Sequence, residues 1–190
     1  MDQEKALSIF RRTGALLDGH FRLTSGLHSP QYFQCALVLQ YPEYAEALCR
    51  DIASHFSDRS IDGVISPAIG GIVAGQEVAR ILGCRSLFAE REQNEMTLRR
   101  GFEIKEGERI LAVEDVITTG GSVREVVKLA QACGALLEGV GVIVDRSAGR
   151  ARFDVEFYSV MQMEVVTYQP DECPQCREGI PVIKPGSRKT

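Results

Sequence analysis

Apolar residues recur every three to four positions after Pro42: Tyr44, Ala45, Leu48, Ile52 and Phe56. That period predicts a helix with one buried face. After Asp62-Gly63 a strand–turn–helix order appears: Val64-Ile65, then Ser66-Pro-Ala-Ile-Gly70-Gly71, then Ile72 to Leu82. It returns at 109–133, where the apolar run Ile110 to Val113 ends in Glu114 and Asp115. A Thr/Gly-rich turn follows, and Val123, Val126, Val127 and Ala130 form the next buried stripe. Gly139 to Asp145 is a further apolar strand ending in a charge. Strands alternating with helices predict an α/β fold with a central, mostly parallel sheet flanked by helices. Ligands of such sheets bind beyond the carboxyl ends of the strands, where both glycine-rich turns and Asp145-Arg146 fall.

The remaining segments are less periodic. Residues 4–17, with Leu7, Phe10, Leu16 and Leu17, predict a helix interrupted near Gly14. Gly19 to Pro30 reads as a polar connection, and Gln31 to Leu39 is rich in strand formers. Glu90 to Gly101 is highly charged and predicts an exposed loop or hairpin. A Pro/Gly/Arg/Lys-containing tail follows Ile183.

At 190 residues, 44% hydrophobic and 25% charged, the chain fits one globular domain with a sizeable core. A net charge of -4 gives no basic footprint for nucleic acid. No apolar run approaches the roughly 20 residues that cross a bilayer. The polar, acidic start Met-Asp-Gln-Glu-Lys lacks the pattern of a signal peptide, so a cytoplasmic protein without membrane contact is expected. Cys35, Cys49, Cys84 and Cys133 read as small core residues. Cys173-Pro-Gln-Cys176 is half of a four-thiolate zinc site with no second pair in the chain. A dimer partner's pair, a redox pair and a plain turn all remain open for it. His20 and His28 lie in the polar connection, where solvated, structural and ligand-contacting roles are open.

The chemistry concentrates at 110–122. Small residues let backbone N–H groups converge on an anion, with a helix N-terminus behind them. Ser122 and Glu125 fit a capping box, which predicts that Ser122 starts the helix. A helix N-terminus contributes only about 0.3–1 kcal/mol toward an anion. Hydrogen bonds from the turn and from Thr118, Thr119 and Ser122 must supply most of the binding. Two carboxylates repel phosphate but suit sugar hydroxyls or a divalent cation. Together these describe a phosphorylated sugar.

The stretch Ile110 to Ser122 resembles the phosphoribosyl pyrophosphate (PRPP) motif of type I phosphoribosyltransferases. Within that family the chain resembles the orotate-using branch. Ser25-Gly-Leu-His-Ser-Pro30 precedes the aromatic pair Tyr32 and Phe33, and Ile143-Val-Asp-Arg146 matches the strand end whose arginine meets the orotate carboxylate. The resemblance implies a single phosphoribosyltransferase domain over 1–190, with a small hood contributed by about 1–40 and the segment after about 150. It implies PRPP contacts on Glu114, Asp115, Val116, Ile117, Thr118, Thr119, Gly120, Gly121 and Ser122, with Arg91 added from the charged loop. Orotate would meet Thr118, Arg146, Tyr32 and Phe33, and Glu114 and Asp115 would be the catalytic acids. Mg²⁺ and a homodimer are also implied.

Three lysine positions of familiar members differ here: they hold Thr24, Gly70 and a loop without lysine that offers Arg91, Arg99 and Arg100. Arginine can bind phosphate bidentately, so these arginines are expected to replace some of the lysines. The implied reaction is orotate + PRPP → orotidine 5′-monophosphate + pyrophosphate, in UMP biosynthesis. The rivals are a type I enzyme for a purine base and a non-catalytic PRPP-binding regulator.

Overall fold

The computed structural model describes residues 1–23, 25–164 and 166–184. Thr24 and the tail from 185 to 190 lie outside the described residues. Helix α1 (Gln3–Arg12) starts at Asp2, whose carboxylate accepts from Lys5 N at 2.7 Å. It ends before Gly14 (φ 67°), and Leu16 and Leu17 belong to the following strand rather than to the helix. That strand, β1 (Leu16–Arg22), pairs antiparallel with β2 (His28–Phe33). Most of the expected polar connection is thus a hairpin. The strand expected over 31–39 ends at Phe33 and gives way to a short helix, α2 (Ala36–Leu39). Phe21 also bridges Ile183, and His28 bridges Tyr168, so the C-terminal segment lies along the hairpin.

Helix α3 (Pro42–His55) buries Ala45, Leu48, Cys49, Ile52 and Ala53, the face its period predicts. The main sheet comprises β3 (Gly63–Pro67), β4 (Arg85–Glu92), β5 (Glu95–Leu98), β6 (Arg109–Ile117), β7 (Leu136–Asp145) and β8 (Phe157–Gln162). Its order is β5-β4-β3-β6-β7-β8, parallel except for β5. β4 and β5 form the charged hairpin, turning on Gln93 and Asn94, both left-handed (φ 49° and 70°). A short helix, α6 (Pro174–Arg177), lies near the C-terminus.

Successive residues of the central strands alternate between two cores. Val64, Leu111, Val113 and Ile143 pack with Leu48, Ile52 and Phe56 of the α3 region and with α4 (Gly71–Leu82). Ile65, Ile110, Ala112, Val140 and Val142 pack with Val123, Val126 and Ala130 of α5 (Gly121–Ala132). The period-2 geometry of a strand covered on both faces produces this split. The helix after β3 and the helix after β6 therefore lie on opposite faces. β3 and β6 are neighbours, so their following turns open away from each other and leave a crevice at their carboxyl ends. Among the described residues no helix is long and apolar enough to cross a membrane.

Candidate active site

At the carboxyl end of β6 lies a cleft of about 240 Å³ lined by Glu114, Val116 to Val123 and Glu125. Thr118, Thr119 and Ser122 are exposed to it, while Ile117 and Val123 anchor the turn in the core. Helix α5 starts at Gly121, with Gly120 as a left-handed cap (φ 76°), and no side chain caps its end. The expected capping box is therefore absent: Ser122 lies inside the first turn, with its hydroxyl uncommitted to a cap. A left-handed residue here turns the chain so that consecutive N–H groups face the same side, the geometry of an anion nest. A Cβ on Gly120 would also come within 3.1 Å of Phe153. The turn is braced from behind by Arg124, which donates to the Thr119 carbonyl at 2.6 Å and lies over the Phe153 ring, 5.4 Å from its centre. Nothing in the turn's own sequence points to Arg124 or Phe153.

Glu114 is buried and Asp115 half-buried. Asp115 Oδ1 accepts from Val116 N at 2.8 Å, and Glu114 Oε1 from Asp115 N at 3.2 Å. Burial raises the Glu114 carboxyl well above its ordinary value of 4.5, and the adjacent Asp115 charge adds to the shift. The two acids press against the turn after β3. A Cβ on Gly70 would lie 2.8 Å from Asp115 Oδ1, and one on Gly71 would lie 2.8 Å from Glu114 Oε1. That turn holds a cis peptide between Ala68 and Ile69, and Ile69 is 86% exposed at its tip. The glycine pair thus has a steric reason that the sequence pattern alone does not reveal.

Arg146 follows β7, and its backbone N–H donates to the Ile117 carbonyl at 2.9 Å, which fixes it beside Thr118. Its guanidinium is half-buried, and its Nε is buried without a hydrogen-bond partner among the described residues. Burial lowers its affinity for a proton, and nearby Tyr32 acts in the opposite direction. Tyr32 is half-buried, with its ring 5.7 Å from that of Phe21. Phe33 does not join it. Adjacent strand residues point to opposite faces, and Phe33 is buried in the core, 4.5 Å from the Phe10 ring. Of the expected aromatic pair, only Tyr32 lies near Arg146.

The charged hairpin places its arginines on carboxylates. Arg91 pairs with Glu125 at 2.7 Å, Arg99 with Glu92 at 3.7 Å, and Arg100 with Glu90 at 2.8 Å. Only the Arg91 pair involves a residue of the cleft wall. Arg91 also donates to the Asn94 carbonyl at 2.7 Å, which folds it over its own turn. Arg91 thus reaches the cleft rim by way of α5, whereas Arg99 and Arg100 are held on the hairpin.

Residues 39–172 match the phosphoribosyl transferase domain family. The chain is 59% identical over 188 residues to the orotate phosphoribosyltransferase of Chlorobium phaeobacteroides, covering 99% of this chain and 97% of that one. It is 57% identical over 189 residues to that of Pelotomaculum thermopropionicum, covering 100% of each chain to the nearest per cent. Among solved structures, orotate phosphoribosyltransferase from Aeropyrum pernix superposes with a TM-score of 0.71 at 26% identity, covering 82% of this chain and 92% of that one. Adenine phosphoribosyltransferase from Rhodothermus marinus, at 19% identity and a TM-score of 0.65, covers 84% of this chain and 99% of that one and shares the fold. A cradle, two acids and a lone arginine on one sheet edge, in a chain this close to its relatives over their whole length, place it in the orotate phosphoribosyltransferase family.

Proposed function

We propose that this protein transfers the 5-phosphoribosyl group of PRPP to orotate, giving orotidine 5′-monophosphate and pyrophosphate in pyrimidine biosynthesis. The observation that carries this reading is Arg146, a half-buried cation one strand-end away from an anion cradle, whose Nε has no hydrogen-bond partner among the described residues. A desolvated guanidinium without a carboxylate is costly, and a flat anionic base supplies the missing planar acceptor. A neutral purine does not.

In this reading the N–H groups of Thr118 to Ser122, with the hydroxyls of Thr118, Thr119 and Ser122, hold the 5-phosphate at the start of α5. Asp115 and Glu114 hold the ribose hydroxyls. Burial favours the protonated form of Glu114, which can donate to one hydroxyl while Asp115 accepts from the other. As the bond from C1 to pyrophosphate breaks, the ribose ring becomes positive, and the Asp115 carboxylate favours that charge. Orotate stays in line through Arg146, Thr118 and Tyr32, so its ring nitrogen meets C1 without a strong protein base. Gly70 and Gly71 allow the turn after β3 to approach the acids closely.

The side-chain donors beside the cleft are all oxygen, as a hard divalent cation requires. Mg²⁺ suits such donors: the adjacent Asp115 carboxylate would hold it, and when bound it would supply neutralisation of the leaving pyrophosphate. Arg91 would add to this after exchanging its Glu125 partner for phosphate. The protein acts in this reading as a cytoplasmic homodimer.

The test is the fall in orotate ultraviolet absorbance on adding PRPP and Mg²⁺, with adenine and hypoxanthine run in parallel. Turnover of orotate alone is expected. Turnover of a purine without orotate would overturn the assignment.

A further inference from the structure

Four side chains from opposite ends of the chain converge away from the cleft. His20 of β1 and His28 of β2 face each other, with Nε2 of the first 2.9 Å from Nδ1 of the second. Cys173, the residue that precedes the short helix α6, and Cys176 within it sit against them. Cys173 Sγ lies 3.5 Å from His20 Nε2. Cys176 Sγ lies 3.7 Å from the same nitrogen and 3.3 Å from His28 Nδ1. All four atoms fall within 4.8 Å of one another. His20, His28 and Cys173 are buried, and Cys176 is at the surface.

Hydrogen bonding alone accounts poorly for this cluster. His20 Nδ1 lies 2.7 Å from the Ile180 carbonyl, which can only accept, so that nitrogen carries the proton. Nε2 then presents a lone pair toward His28 and both thiols. Three potential donors crowd one acceptor, whereas a cation at the centre would satisfy all four groups at once. Zinc bond lengths of about 2.0–2.1 Å to nitrogen and about 2.3 Å to sulfur place tetrahedral N···S edges at roughly 3.6 Å. Three of the four N···S distances, 3.3, 3.5 and 3.7 Å, straddle that value. The N···N distance is shorter than the tetrahedral edge of roughly 3.4 Å, a difference that a small rotation of either ring removes.

We propose that His20, His28, Cys173 and Cys176 form a structural Zn²⁺ site. The other half of the Cys-x-x-Cys motif is then a histidine pair of the same chain, not a partner's thiols. Two soft thiolates and two imidazoles select zinc over the hard cations that oxygen donors hold. Four protein ligands close the coordination sphere and leave no position for a reacting molecule. Binding takes one proton from each thiol and releases both to solvent, so two thiolates balance the dication and the buried centre is neutral. The His20–Ile180 hydrogen bond is the outer-shell contact that orients a zinc-bound imidazole. The site fastens the C-terminal segment to the hairpin that carries Tyr32.

The test uses untagged full-length protein, purified without chelator from zinc-supplemented cells and analysed for metal by mass spectrometry. About one zinc per chain is expected. Replacement by Co²⁺ should give visible ligand-field bands of a tetrahedral site and a near-ultraviolet thiolate charge-transfer band. Cys176→Ser and His28→Ala should lose the zinc, while Cys133→Ser, outside the cluster, should keep it. Zinc below about one-tenth per chain with no cobalt spectrum, or a Cys173–Cys176 disulfide in the purified protein, overturns the proposal. If the variants fail to fold, the wild-type zinc content and cobalt spectrum decide alone.

Discussion

Replacing Arg146 by methionine should move two measurements in opposite directions. Methionine keeps much of the aliphatic volume and removes the guanidinium. In the ligand-free protein that group is desolvated, and its Nε has no hydrogen-bond partner among the described residues. A buried unsatisfied polar group costs about 1–3 kcal/mol, and partial exposure of the side chain argues for the lower end. The variant should therefore gain about 1 kcal/mol, or roughly 2–4 °C in Tm for a chain of this size. Orotate binding should weaken by the loss of a charge pair, about 2–5 kcal/mol or roughly 30- to 4000-fold. Thermal denaturation without ligand gives the first value, and titration of orotate against protein held with PRPP analogue and Mg²⁺ gives the second. PRPP affinity serves as the internal control, because the cradle at 118–122 is untouched. A lower Tm with unchanged orotate affinity would show that Arg146 is held by the fold for stability, and the reasoning would fail.

Three further predictions follow from the same geometry. Glu114 is raised in the folded state above its ordinary 4.5, so between about pH 5 and its raised value the native chain holds a proton that the unfolded chain has lost. Stability of the ligand-free protein should fall as pH rises through that window, by at most about 1.4 kcal/mol per pH unit from this group, and Glu114→Gln should flatten the curve. Melting curves from pH 5 to 9 check this, and parallel slopes for both proteins would refute it. Gly71→Ala puts a methyl 2.8 Å from Glu114 Oε1 and 3.1 Å from Ser66 Cβ, which should cost about 1–3 kcal/mol and lower turnover. Unaltered Tm and rate would mean that the turn yields freely. Arg91→Ala removes an exposed pair with Glu125 and should change stability by less than about 1 kcal/mol. The same change should raise the KM for PRPP roughly tenfold or more if the arginine meets pyrophosphate, and an unchanged KM would exclude it.

Long periodic segments were readable without a structure. Helices α3 and α5 follow from their spacing of apolar residues, and β6 and β7 from apolar runs that end in charge. The N-terminal hairpin was not, because β1 interrupts its apolar positions with Asp18, Gly19 and His20 and pairs through an irregular register after Asp18. The start of α5 was misplaced because a left-handed glycine, not a hydroxyl, caps it. Tyr32 and Phe33 looked like one platform, yet neighbours in a strand cannot share a face. The histidine–cysteine cluster was invisible for a different reason: its ligands are separated by up to 156 residues, and no local pattern joins them.

The backbone bridges from Phe21 to Ile183 and from His28 to Tyr168 carry a consequence for synthesis. The sheet from β3 to β8 can assemble once residue 162 has left the ribosome, but the hairpin of β1 and β2 gains its flanking segment only when residues 168 to 183 have emerged. Until then Tyr32 sits on a hairpin with one flank bare, and two strands alone are marginally stable in water. A nascent chain thus has its phosphate cradle before its hairpin is flanked, and a chain cut before Tyr168 would keep the main sheet but leave the hairpin that carries Tyr32 unsupported.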